Sequence, residues 1–351
     1  MTDRAGPGTA GSLPRRGLLA AALAAPLASP GLARAQAGPG AATGTAAGAA
    51  QGADWPNQAI RYINPYPPGG STDTLSRLWC QKMTEVTGQQ FVVENRGGSG
   101  GDIGVEAVAR SRPDGLTVGL GGIASHAISP TLKASLPFDP AKDFTFATGL
   151  WKLPNLLVVN NDLPVRTVPE LIALLKANPG KYSYGSAGPG TTLHLSGAML
   201  GQLAGLDIQH VPYRGAAPAM IDLIAGRVQF MLDNIPGAIA QARQGKVRAL
   251  AVTSAKRSPV APELPSLAEF LPGFDIVSWT CLIAPAGLPP AMVARMNALS
   301  KRALESEDLK RSYFEQGAET WWATPEEVAA YRVQQYERLR PLIIASGAQQ
   351  G

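Results

Sequence analysis

Two hydrophobic periods alternate along this chain. Ile60-Arg61-Tyr62-Ile63 reads as a short strand that stops at Asn64-Pro65, and Pro67-Pro68-Gly69-Gly70 turns the chain. After the turn the spacing becomes helical. Leu75, Leu78, Trp79, Met83 and Val86 share one face, with Ser71 or Thr72 as the expected cap. Gln90–Glu94 is predicted to be the next strand. The Gly-rich run at 97–101 opens a helix through Ala109, and Leu116–Gly121 is a third strand. This rhythm predicts a parallel-rich sheet with helices on both faces.

A second series begins after Trp151. Asn155–Val159, Tyr182–Tyr184, Asp207–Val211, Val228–Leu232 and Ala249–Thr253 read as strands. Thr167-Val168-Pro169-Glu170 is a capping box for a helix over Leu171–Ala177. Gly185-Ser186-Ala187-Gly188-Pro189-Gly190 leads into a helix from Thr191, and Ala217–Ala225 is helical. Trp279–Ala284 reads as a strand returning to the first series. Pro290–Leu304 and Pro325–Ala345 are amphipathic helices, the last with Thr324 as N-cap, Pro325 at N1 and Glu327 at N3. In both series a strand feeds a Gly-rich turn that opens a helix. Such a turn leaves backbone N–H groups free and favours negative charge. In open α/β sheets ligands lie beyond the carboxyl ends of strands, so two such turns facing each other would grip an anion from both sides.

A length of 351 residues with 45% apolar positions fits two domains plus a leader. The leader is residues 1–37. Arg15-Arg16 precede an apolar run from Leu18 to Leu32, which Pro26 and Pro30 interrupt and which is too short to span a bilayer. Ala33-Arg34-Ala35 and Ala35-Gln36-Ala37 offer cleavage positions. The arginine pair resembles a twin-arginine signal without the usual Ser or Thr before it, so the general secretory route stays open. Residues 38–53 read as a disordered leader. The formal charge is +5, of which residues 1–53 supply +3 through Arg4, Arg15, Arg16 and Arg34 against Asp3. With no dense basic patch beyond them, nucleic acid is not an expected partner. Cys80 and Cys281 are too few for a disulfide framework, and buried free thiols are the simpler reading.

The residues argue against several chemistries. The three histidines His126, His194 and His210 have no metal-ligand spacing, and no cofactor motif is complete. Gly98, Gly100 and Ile103 miss G-x-G-x-x-G at its last position. Tyr184-Gly185-Ser186-Ala187-Gly188 misses the hydrolase elbow G-x-S-x-G at its first. A serine hydrolase using Ser186 and His194 remains the alternative to binding without catalysis. Ser125 and His126 are placed at a strand end facing the expected cleft. Asp233, just after a strand, either orients the site or meets a ligand amine.

Asn64-Pro65-Tyr66-Pro67-Pro68-Gly69-Gly70-Ser71-Thr72-Asp73, Val92-Val93-Glu94-Asn95-Arg96 and Arg112-Pro113-Asp114-Gly115 resemble signatures of the tripartite tricarboxylate transporter substrate-binding proteins, the Bug family. So do Tyr184–His194, His210–Ala219, Met231-Leu232-Asp233-Asn234 and Leu250–Pro259, in family order from about Trp55 onward. The resemblance implies a type II periplasmic binding protein fold, with two lobes, each a mixed sheet flanked by helices, and a ligand cleft between them. Residues 54–150 and 278–351 would form lobe one, and 151–277 lobe two. It implies a monomeric, non-enzymatic protein of the periplasm that captures a small carboxylate for a membrane permease or a sensor. The carboxylate-binding roles fall on Tyr66, Gly70, Ser71 and Thr72, and on Ser186, Ala187, Thr191 and His194, with Gly69 beside them for backbone approach.

Overall fold

The structure is a computed structural model that describes residues 54–349. The expected export signal and the 38–53 leader lie outside the described residues.

The first strands are β1 (Ile60–Asn64), β2 (Phe91–Asn95) and β3 (Thr117–Gly122), all parallel, with β1 between the other two. Helix α1 (Ser71–Thr87) covers one face. Its Leu75, Trp79 and Met83, spaced four apart, are all fully buried. Burying each contributes about 1.5–3 kcal/mol. Helix α2 (Asp102–Ala109) follows the Gly-rich run, and a short helix α3 (Ser129–Leu132) follows β3.

Strand β4 (Phe144–Val159) is 16 residues long and belongs to both series. Its first part, as far as Pro154, pairs antiparallel with β9 (Val277–Pro285), which also pairs antiparallel with β3. From Asn155 onward it pairs instead with β7 (Phe230–Asn234) and β8 (Arg248–Val252). β5 (Ser183–Ser186) then runs parallel to β7 and to β6 (Gln209–Pro212). The order is thus β2-β1-β3-β9-β4-β7-β5-β6, with β8 and the short β10 (Glu319–Thr320) also on β4. One strand is shared by two mixed sheets, and the pairing changes between Pro154 and Asn155. The chain crosses back at Ile276–Val277.

Helices α4 (Val168–Ala177), α5 (Thr192–Ala204), α6 (Ala216–Ile224) and α7 (Ile235–Arg243) flank the second sheet. Helices α8 (Pro290–Leu304), α9 (Glu307–Glu315) and α10 (Pro325–Ala345) close the chain. Capping boxes form at Thr167/Glu170 and Thr324/Glu327 as the spacing predicts. The start of α1 differs from expectation. Gly70 is the N-cap, and no side chain caps the helix. Cys80 and Cys281 are both free and buried.

Candidate functional site

The first turn leaves β1 at Asn64. Gly69 adopts φ +85°, a left-handed conformation that suits glycine. Its N–H donates to Asp73 Oδ2 at 2.9 Å. Asp73 also receives Asn95 Nδ2 at 2.9 Å and Arg77 Nε at 3.1 Å. Desolvation pushes this buried carboxyl up. The Arg77 guanidinium, the Gly69 N–H and the Asn95 amide outweigh it and hold the group below its ordinary value. Asp73 therefore fixes the turn from behind and stays charged. Asn95 Nδ2 also donates to Tyr66 O at 3.1 Å, tying the turn to β2. Tyr66 is half-buried, and its ring lies against Gly101, where a Cβ would be 3.4 Å from Cζ. Burial, with the Asp102 charge second, pushes its hydroxyl up to about 12.

What the turn leaves uncommitted matters most. Gly69 and Gly70 are exposed, and a Cβ on either would meet nothing within 4 Å. The Ser71 and Thr72 side chains are half-buried, with no hydrogen-bond partner among the described residues. Thr74 N–H closes on Gly70 O at 3.0 Å, so the N–H groups of Ser71, Thr72 and Asp73 lie ahead of the helical ladder. Charge of negative sign is favoured there, and no basic side chain is in the turn.

The second turn follows β5 and is more internally bonded. Ser186 is fully buried. Its Oγ lies 2.6 Å from His210 Nε2, donates to Gly188 O at 3.3 Å and accepts from Gly188 N–H at 3.1 Å. Thr191 Oγ1 donates to Gly188 O at 2.7 Å and caps α5 by accepting the His194 N–H at 3.3 Å. His194 Nδ1 accepts the Gly190 N–H at 3.2 Å. The His194 and His210 rings stack at 4.0 Å, and Tyr184 stacks on His210 at 5.0 Å. Gly188 (φ +120°) and Gly190 (φ +75°) permit this folding back. Burial lowers His194 to about 4. Burial, then the His194 charge, lowers His210 to about 4. Both are neutral at pH 7.

Several expectations change here. The partner of Ser186 is His210, not His194, whose Nδ1 is occupied by the Gly190 N–H. The Ser186–His194 pair on which the hydrolase alternative was built does not form, and that alternative is not supported. The hydroxyls of Ser186 and Thr191 are committed within the turn. Its free groups are the N–H of half-buried Ala187 and those of Thr192 and Leu193 at the start of α5. Ser125 and His126 were expected to face a cleft from a strand end. Instead the chain leaves β3 in a wide π-helical turn, Ala124–Ile128, that carries His126 inward among Phe138, Phe144 and Phe146. It is fully buried, bonded to Ser125 Oγ at 2.7 Å, and pushed down to about 3 by burial and then by the Arg332 charge. Asp233 is buried at 4% exposure and accepts only the Asn234 N–H, at 2.8 Å; desolvation raises it to about 7.

Sequence reasoning passed over three groups. His210 is one; Tyr184 and His210 are register partners on β5 and β6, a pairing that residue spacing does not show. Asn64 is fully buried at the end of β1, with neither amide atom paired. Its one signal was an Asn-Pro step stopping a strand ahead of a Gly-rich turn. The third is the pair Asn155 and Asn234, where β4 changes partners.

The model of the tripartite tricarboxylate transporter family receptor matches residues 75–348. The chain belongs to that family. A Pseudomonas (strain P51) relative, described as a UPF0065 protein in the tcbD-tcbE intergenic region, is 38% identical over 292 residues, covering 83% of this chain and 87% of the relative. Two solved structures are similar across nearly their whole length. The R. palustris protein Rpa4515 with adipate has a TM-score of 0.77 and 35% identity, covering 84% of this chain and 98% of that one. MatC from Rhodopseudomonas palustris, with bound malate, has a TM-score of 0.72 and 32% identity, covering 82% of this chain and 100% of that one. The family consists of solute-binding receptors of the two-lobed periplasmic type, and this receptor is not an enzyme.

Proposed function

We propose that this receptor holds a small carboxylate between the N-terminal turns of α1 and α5. In lobe one the contacts are the backbone of Gly69 and Gly70 and the N–H groups and hydroxyls of Ser71 and Thr72, with Tyr66 walling the site. In lobe two they are the N–H groups of Ala187, Thr192 and Leu193. Ser186, Thr191 and His194 shape that turn from inside, and Ser125 and His126 support lobe one from its core. The observation that carries the reading is the uncommitted first turn of α1, with exposed glycines, unpaired hydroxyls and a buried, charged Asp73 that fixes its geometry. Fixed amide dipoles stabilise an anion without a counter-charge and leave it free to depart.

The lobes divide as 54–154 with 277–349, and 155–276, with the hinge at the Pro154–Asn155 change of partners and at Ile276–Val277, close to the expected crossings near 150 and 277. Closure follows binding, because only the closed form brings both turns to one ligand. The protein acts as an exported monomer, with its leader removed near Gln36 or Gly38. It delivers the ligand to a membrane permease or presents it to a sensor.

Calorimetric titration with a panel of mono-, di- and tricarboxylates tests this, beside a Gly70→Val variant. Gly70 has φ −83° and open space around it, so valine is tolerated by the fold. The expected result is that one acid binds the natural chain and that Gly70→Val weakens it at least about ten-fold, about 1.4 kcal/mol, with no more than about 1 kcal/mol of stability lost at the N-cap. Undiminished binding by the folded variant would overturn the α1 site.

A further inference from the structure

A second buried polar group lies where β4 passes from one sheet to the other. Asn155 and Asn234 are register partners on β4 and β7, so their side chains leave the sheet on the same face. Asn155 is fully buried. Its Nδ2 donates to Ser196 Oγ on α5 at 3.2 Å, and its Oδ1 meets nothing. Asn234 Oδ1 is likewise covered and unpaired. Ser196 stands four residues beyond Thr192, on the same face of α5. Thr192 Oγ1 in turn lies 3.2 Å from Ser278 Oγ on β9. The first turn of α5, the end of β7 and both strands at the proposed hinge therefore converge on one patch.

Buried polar atoms are ordinarily paired. Turning the Asn155 amide over does not help, because Ser196 would then serve Oδ1 and leave Nδ2 alone. The cluster is neutral, with no basic side chain in it. A second carboxylate would meet amide and hydroxyl oxygens with no countercharge. A methylene would leave the amides desolvated and unpaired. A hydroxyl both donates and accepts, so it satisfies an amide end of either kind.

We propose that Asn155 and Asn234, with the Thr192 and Ser278 hydroxyls, form a subsite deeper in the cleft that selects hydroxy acids over the corresponding unsubstituted acids. The inference rests on the carboxylate reading above, since it places this patch beyond the carboxylate held at the α5 turn.

Malate and succinate differ by one hydroxyl on the same carbon chain and serve as the probes; adipate and 2-hydroxyadipate replace them if the four-carbon pair is too short to bind. Titration of the natural chain is expected to show the hydroxy acid binding about ten-fold more tightly. Asn234→Ala should bring that ratio to about two or below while leaving the affinity for the unsubstituted acid unchanged. Ser278→Ala, at a half-buried hydroxyl, is the second variant should the first not fold, with the same expectation. Equal affinities in the natural chain, or an unchanged ratio in either folded variant, overturns the subsite and leaves the carboxylate clamp standing. Failure of every acid to bind overturns both.

Discussion

Asp233→Asn removes the one buried carboxylate among the described residues that lacks a cationic partner. In the fold desolvation holds its proton up to about pH 7, against 3.8 for the ordinary group. Between those values the folded chain carries more protons than the unfolded chain, so stability falls as pH rises through the window. At about 1.4 kcal/mol per pH unit, keeping Asp233 charged costs the fold about 4 kcal/mol above pH 7. Asparagine keeps the oxygen that accepts the Asn234 N–H and adds an amide group without an identified partner, at about 1–3 kcal/mol. The variant should therefore gain about 2 kcal/mol at about pH 8, and should lose about 1–3 kcal/mol near pH 4, where aspartic acid is already neutral. Urea unfolding of the ligand-free chain across this range measures both arms. A difference between variant and natural chain that stays constant from about pH 4 to about pH 8 would refute the reasoning.

His126, His194 and His210 fold neutral, with values of about 3, 4 and 4 against an ordinary 6.5, so the unfolded chain holds more protons below 6.5 and stability is lost as pH falls from there towards 4. Three such groups outweigh Asp233, and the natural chain should destabilise on acidification; imidazoles that titrate above about pH 6 by NMR would contradict this. Gly197→Ala places a Cβ 2.1 Å from the Tyr184 ring, which stacks on His210 and whose hydroxyl donates to His194 O. The expected cost is about 1–3 kcal/mol in denaturant unfolding, and a change below about 0.5 kcal/mol would mean the stack is not fixed. Thr191→Ala should cost about 1 kcal/mol of stability through the lost cap, with ligand affinity changed less than about two-fold; a large affinity loss at full stability would return its hydroxyl to the ligand.

Much of this fold is written in local patterns. The capping boxes at Thr167 and Thr324, the helical face of Leu75, Trp79 and Met83, and the strand–turn–helix units at Asn64–Ser71 and Ser186–Thr192 are short-range features that propensity and periodicity register directly. Strand β4 was legible only over Asn155–Val159, because Gly149, Lys152 and Pro154 break the alternation in its first part. Those residues are strand because β9 and β10 pair with them, and both lie more than a hundred residues away. The same limit applies to the site. The turn at Gly69-Gly70 could be located from the sequence. That Ser186 meets His210 rather than His194 depends on β5 and β6 lying side by side. A fully buried amide left unpaired at Asn64, or half-paired at Asn155, has no sequence signal, since it is defined by partners that are not there.

A crystal structure of the mature chain with its tightest-binding acid tests the central claim most directly. The account predicts the ligand carboxylate between the first turns of α1 and α5, with oxygens within hydrogen-bond distance of the Ser71 and Thr72 N–H groups on one side and of Thr192 or Leu193 N–H on the other. A carboxylate paired instead with an arginine or lysine outside these turns would contradict it.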